Sequence, residues 1–95
     1  MPVYKAPLRD MRFLLNEVFD FPKHYASLSN GENATPDIVD AILGECGKFC
    51  EEVLSPLYQS GDEEGCKQLE NGDVVTPKGY KEAYDQYVMG GWQGL

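Results

Sequence analysis

The sequence is short of basic residues: 8 Lys and Arg stand against 16 Asp and Glu, leaving a formal net charge of −8. So acidic a surface repels phosphate, which argues against binding to DNA, RNA or anionic lipid headgroups. Long apolar runs are missing as well. No stretch approaches the roughly 18 residues of a membrane-crossing helix, so no span is expected. Histidine occurs once, at His24, and cysteine three times, at Cys46, Cys50 and Cys66. Three cysteines do not make a disulfide framework and fit reduced thiols in a reducing compartment. Asp10, Glu17 and Asp20 interrupt what would otherwise be a basic, apolar leader, so the expected location is cytoplasmic. What remains is a chain of 95 residues, 42% hydrophobic and 25% charged. That supports one modest core and excludes a complete cofactor enzyme built from these residues alone.

Three helical patterns follow, with a short hairpin as a fourth element, so the expected class is all-α. The first runs near 8–20, where Met11, Leu14, Leu15 and Val18 form one stripe between Pro7 and Pro22. A loop is expected over 23–34, around Ser29-Asn30-Gly31-Glu32-Asn33. The second helix, near 36–57, has Thr35 as N-cap and Pro36 at the first helical position. Ile38, Ala41, Ile42, Cys46, Phe49, Cys50, Val53 and Leu57 trace its stripe, and Pro56 is expected to kink or end it near Leu54–Ser55. Gly44 and Gly47 weaken this helix by roughly 1 kcal/mol each relative to alanine, which points to close packing there. Gly61-Asp62-Glu63-Glu64-Gly65 reads as an acidic loop. Asn71-Gly72 reads as a two-residue hairpin turn with positive φ at both positions, although arms this short also suit an irregular turn. The third helix, near 77–90, repeats the Thr-Pro start at Thr76-Pro77 and carries Tyr80, Ala83, Tyr84, Tyr87 and Val88 on one face.

None of the chemistry-bearing residues assembles into a recognisable site. Cys46 and Cys50 in C-G-K-F-C lie one helical turn apart, which makes them half of a metal site at most. Zinc sites favour a two-residue gap and a second Cys/His pair, so two small core residues are the simpler reading. His24 lacks a nucleophile placed by motif. Glu51 and Glu52 point about 100° apart on a helix, and Asp62-Glu63-Glu64 lacks the alternating spacing of a calcium loop. Glu70 and Asp73 flank the turn. Gly90-Gly91-Trp92-Gln93-Gly94 follows a helix rather than a strand and has no P-loop lysine, so it stops a helix rather than cradling phosphate. The expected catalytic, cofactor-binding and metal residues are therefore none.

Taken whole, the chain resembles the extreme N-terminal portion of the long, bacterial-type acyl-CoA dehydrogenases, the group that includes methylmercaptopropionyl-CoA and some fatty acyl-CoA dehydrogenases. YKAPLRDMRFLLNEVFD (Tyr4–Asp20), VDAILGECGKFCEEVLSPLYQSGDEEGC (Val39–Cys66) and TPKGYKEAYDQYVMGGWQGL (Thr76–Leu95) carry the resemblance in order and at matching spacing. The resemblance implies a parent enzyme that uses FAD to desaturate an acyl-CoA thioester between its α and β carbons. In that family a glutamate base takes the α proton and the flavin takes the β hydride. The base and the flavin site belong to later domains, so neither Glu51 nor Glu82 inherits the role and no FAD contact maps here.

The resemblance further implies an N-terminal extension over 1–34 and the start of a helical domain over 35–95. The family's chain continues past G-G-W-x-G-L, so these residues are expected to be a piece of a longer polypeptide or a separately encoded one. The implied role is a scaffold, packed against the remaining domains or a sister subunit in a homo-oligomer, with the third helix and Trp92 as buried anchors. The isolated chain is not expected to hold FAD. The competing reading is a freestanding acidic helical interaction module without enzymatic activity.

Overall fold

In the computed structural model, which describes residues 3–94, the chain is mostly helical, with one small two-stranded hairpin. It divides into two compact units, one over Tyr4–Glu51 and the other principally over Glu52–Leu95.

The first unit begins with α1 (Leu8–Phe13), which passes directly into a π-helical turn over Leu14–Val18. The wider turn is closed by the Phe19 N–H donating to the Leu14 carbonyl at 3.0 Å, five residues back. Asp20 then takes a left-handed conformation, φ 49°, tolerated by aspartate better than by most residues, and this turns the chain out of the helix. The expected loop over 23–34 is partly helical instead. Helix α2 (Phe21–Ser27) starts there, with Pro22 in its first turn, so Pro22 opens a helix as well as closing one.

Helix α3 (Pro36–Phe49) starts as its sequence dictates. Thr35 Oγ1 accepts the Ile38 N–H at 3.4 Å, and Asp37 lies in the first turn. α1 and α3 run antiparallel: Leu8 lies beside Gly47, and Arg12 Nε pairs with Asp40. A Cβ on Gly47 would lie 3.2 Å from Ala6 Cβ and 3.4 Å from Leu8 Cδ1, so here the glycine permits the close approach its sequence suggested. Gly44 meets nothing within 4 Å. The Ala6 N–H donates to Glu51 Oε1 at 2.8 Å and ties the segment before α1 to the chain just beyond α3.

A second π-helical turn, Cys50–Leu54, carries the chain into the second unit. The expected break at Leu54–Ser55 is present, but the helix restarts at once as α4 (Pro56–Glu64), with Pro56 as its first residue. The acidic stretch 61–65 is accordingly the last turn of α4 rather than a loop. Gly61 is buried against Tyr80, and Gly65, φ 68°, closes the turn with its N–H on the Gly61 carbonyl at 2.8 Å.

The hairpin forms, with β1 (Lys67–Gln68) antiparallel to β2 (Val74–Val75) and Lys67 opposite Val75. Its connection is not the two-residue turn expected. The Gly72 N–H donates to the Leu69 carbonyl at 2.9 Å, and the Leu69 N–H to the Asp73 carbonyl at 2.7 Å. Gly72 has φ 94° while Asn71 has negative φ. This is a three-residue loop ending in a glycine bulge. The Asn71 side chain caps it, accepting the Asp73 N–H at 3.0 Å.

Helix α5 (Tyr80–Met89) starts three residues later than the Thr76-Pro77 pair suggests. Pro77 instead opens a turn in which the Tyr80 N–H reaches the Pro77 carbonyl at 3.2 Å, with Gly79 at φ 93° and ψ −17°. Those angles fit the third position of a type II turn, where glycine is favoured. Glu64 Oε2 accepts the Lys78 N–H at 2.9 Å and fixes this turn to the end of α4. Gly90 and Gly91 end α5 as expected, and a 3₁₀ turn, Trp92–Gly94, follows.

Among the described hydrophobic residues only Ala83 is buried. The stripe expected of the first helix is turned largely outward. Met11, Leu14 and Val18 are exposed, whereas Leu8, Arg12 and Leu15 are half-buried. In the expected second helix only the start of the stripe is turned outward: Ile38, Ala41 and Ile42 are exposed beside half-buried Val39 and Leu43, whereas Cys46, Phe49, Cys50, Val53 and Leu57 are half-buried.

Candidate functional site

Each residue type able to do chemistry has been placed by the fold, and the placements keep them apart. Cys46 and Cys50 lie one turn apart, at the end of α3 and the start of the second π-helical turn, both half-buried and both free thiols. Burial pushes the Cys50 thiol above its ordinary value, and the adjoining Cys46 thiol and the Glu51 carboxylate push the same way. The thiolate, the reactive form, is therefore scarcer at Cys50 than at an unburied cysteine. Cys66 is exposed, just before β1. Among the described residues no group of three or more His, Cys, Asp or Glu side chains converges as a metal site would require.

His24 is exposed on α2 within an aromatic group. Its ring lies edge-on to Phe21, with centroids 5.6 Å apart, and at 52° to Tyr25. Its carbonyl accepts the Ser27 hydroxyl at 2.6 Å. A small cleft beside it in the first unit is lined by Leu15, Phe21, Tyr25, Pro36 and Val39, with Asn16 as its one amide. Its volume, about 10 Å³, is close to the least that holds one water.

The carboxylates divide into structural acceptors and solvated groups. Glu51 and Glu64 each accept a backbone N–H far away in sequence, from Ala6 and Lys78 respectively. Neither contact was legible from the sequence, because the partner is a main-chain amide 45 or 14 residues away and leaves no residue-type signature. Glu52, Asp62, Glu70 and Glu82 are exposed, and Glu63 accepts from Gln59 Nε2 on the surface of α4 at 3.0 Å. On α5 the Tyr84 and Tyr87 rings stack with centroids 6.4 Å apart, and Lys81 pairs with Asp85 at 2.9 Å. Trp92 is half-buried beside Gly90. The arrangement offers contacts that hold helices and turns together rather than an acid, a base and a nucleophile around one point. No helix among the described residues is long and apolar enough to cross a membrane.

No family model matches the chain. Two curated relatives do match over almost all of it. The chain is 46% identical over 92 residues to a 3-methylmercaptopropionyl-CoA dehydrogenase of Ruegeria pomeroyi, covering 97% of this chain and 15% of that protein. It is 32% identical over 91 residues to a butyryl-CoA dehydrogenase of Syntrophomonas wolfei, covering 93% of this chain and again 15% of the relative. The chain is thus homologous to acyl-CoA dehydrogenases, over a stretch about 15% of their length that corresponds to their N-terminal part.

Proposed function

We propose that this chain is the non-catalytic N-terminal helical part of an FAD-dependent acyl-CoA dehydrogenase and that its work is to pack against the rest of that enzyme. The carrying observation is the 46% identity to a dehydrogenase across 97% of the chain. In this reading residues 1–34 form an extension and 35–95 open the helical domain of a cytoplasmic, homo-oligomeric enzyme. FAD belongs to the whole enzyme. The site residues described here do not fit a flavin, because the cleft beside Phe21 and Tyr25 has room for about one water and the carboxylates are scattered. No step of the desaturation is assigned to them.

The scaffold role draws support from the two outward stripes. Met11, Leu14 and Val18 are 36%, 45% and 51% exposed, and Ile38 and Ile42 are 46% and 36% exposed. Apolar stripes at helical spacing normally face a core, and leaving a Leu, Val or Ile side chain in water forgoes about 1.5–3 kcal/mol of burial. Covering them is work that a larger polypeptide would do.

The test is complementation. The Ruegeria relative is prepared without its matching segment and co-expressed with this chain. The two are expected to co-purify in equal amounts and regain flavin content and acyl-CoA oxidation. Val18→Glu and Ile42→Glu are expected to abolish co-purification while leaving the helical content of this chain unchanged by circular dichroism. A remainder that binds flavin fully without this chain, or a yellow, active preparation of this chain alone, would overturn the proposal.

A further inference from the structure

The C-G-K-F-C segment holds a pair of reactive side chains that the scaffold role leaves unused. Cys46 and Cys50 project from one face of the same helix one turn apart, a spacing that puts Cβ atoms about 5–6 Å apart. Both are half-buried and unoxidised, and the Cys46 thiol is close enough to shift the titration of Cys50. A direct disulfide needs Cβ atoms about 3.5–4.5 Å apart, closer than a continuous helix brings them. A single soft atom set between the two sulfurs spans the wider gap without moving the backbone.

Coordination number selects which atom. With no third His, Cys, Asp or Glu converging among the described residues, the protein offers two sulfur ligands. Tetrahedral zinc needs four ligands and is left half-coordinated. The geometry points to Cys46 and Cys50 as a two-sulfur site for a monosubstituted trivalent arsenical, whose arsenic carries one carbon bond of its own and needs two more. With phenylarsine oxide, two As–S bonds form and the arsenic–oxygen bond breaks. The two thiol protons leave with that oxygen as one water, and no atom changes oxidation state. The product is a staple across one turn where α3 passes into the π-helical turn.

The full chain is titrated with phenylarsine oxide while reactive thiols are counted. One equivalent is expected to lower the count from three to one, leaving Cys66, and excess dimercaptopropanol to restore all three. Cys46→Ser and Cys50→Ser are each expected to weaken binding by about 10²-fold or more, because each loses the chelate advantage of the second sulfur. Cys66→Ser is expected to bind as the parent chain does. A count that stays at three or falls only to two, or a Cys50→Ser chain that binds as tightly as the parent, overturns the assignment. The thiol count on the unsubstituted chain decides the matter even if a serine variant fails to fold.

Discussion

The two units solve the same problem with the same devices but leave different surfaces behind. In the first, Gly47 admits Ala6 and Leu8, and Glu51 holds the Ala6 amide. In the second, Gly61 admits Tyr80, Gly79 admits Leu57, and Glu64 holds the Lys78 amide. Each unit thus pairs a glycine that removes a side chain from a contact with a glutamate that satisfies a distant backbone donor. The difference lies outside those contacts. The first unit exposes Phe13, Leu14, Val18, Phe19, Ile38 and Ile42, whereas α4 and α5 of the second expose Tyr58, Tyr84, Val88 and Met89, and its hairpin exposes Leu69, Val74 and Val75. A tyrosine keeps its hydroxyl in water while its ring packs, but a leucine or isoleucine has no such polar handle. Apart from those tyrosines, both units leave apolar side chains in water, the first along its helices and the second on its hairpin and at the end of α5.

The largest effect is expected where the second unit is tightest. A Cβ at Gly61 would overlap the hydroxyl and ring of Tyr80, with Tyr80 Cε1 only 2.6 Å away. Gly61→Ala should therefore destabilise the chain by about 1–3 kcal/mol, overpacking outweighing the gain of roughly 1 kcal/mol in helix propensity. Urea denaturation monitored at 222 nm gives the value. In a Tyr80→Ala background the same substitution should become neutral or stabilising. If it costs the same in both backgrounds, the Gly61–Tyr80 contact does not hold the second unit together.

The glutamate clamps offer a finer comparison. The Glu51–Ala6 bond is partly buried and closes a 45-residue separation, while the Glu64–Lys78 bond is exposed. Hydrogen bonds to charged groups contribute about 1.5–3 kcal/mol when sheltered from water and less when solvated. Glu51→Ala is thus expected to cost about 1.5 kcal/mol and Glu64→Ala about 0.5 kcal/mol. Hydrogen exchange should locate the first loss at the Ala6 amide and the second at Lys78. Equal costs would mean that the two units do not differ in how deeply their clamps are set.

How much of this was legible in the sequence depended on the range of the interaction. Thr35-Pro36 gave the start of α3 because the cap is made within four residues. Asn71-Gly72 marked a turn, since glycine supplies positive φ whatever surrounds it, but the neighbouring Asp73 and Leu69 decided that the loop has three residues. Thr76-Pro77 carried the same local signal as Thr35-Pro36 yet started no helix, because Gly79 and the Glu64 acceptor hold that stretch as a turn. The stripe of Met11, Leu14 and Val18 was read correctly as apolar. The direction it faces was not legible, since periodicity fixes which residues share a face and not what that face meets. As for the candidate site, the sequence separated Cys46 and Cys50 from any zinc pattern, and their half-burial and mutual influence required the fold.

The smallest expected effect separates two glycines that the sequence treated alike. Gly44 and Gly47 lie one turn apart on α3, and propensity alone predicts that alanine stabilises both by about 0.5–1 kcal/mol. Gly44 meets nothing within 4 Å, so Gly44→Ala should realise that gain in full. Gly47 is buried, and its added methyl would press on Ala6 Cβ at 3.2 Å, in the segment that the Glu51 bond holds in place. The segment must give by a few tenths of an ångström, which offsets the propensity term, so Gly47→Ala should leave stability unchanged or slightly lower. Releasing the clamp with Glu51→Ala should then let Gly47→Ala recover the gain that Gly44→Ala shows throughout. Thermal melts of six chains, the parent, the three single variants and each glycine variant combined with Glu51→Ala, read this as a non-additive shift at Gly47 and an additive one at Gly44. Additivity at both positions would show that the segment before α1 lies loose on α3 and that close approach at Gly47 does not organise the first unit.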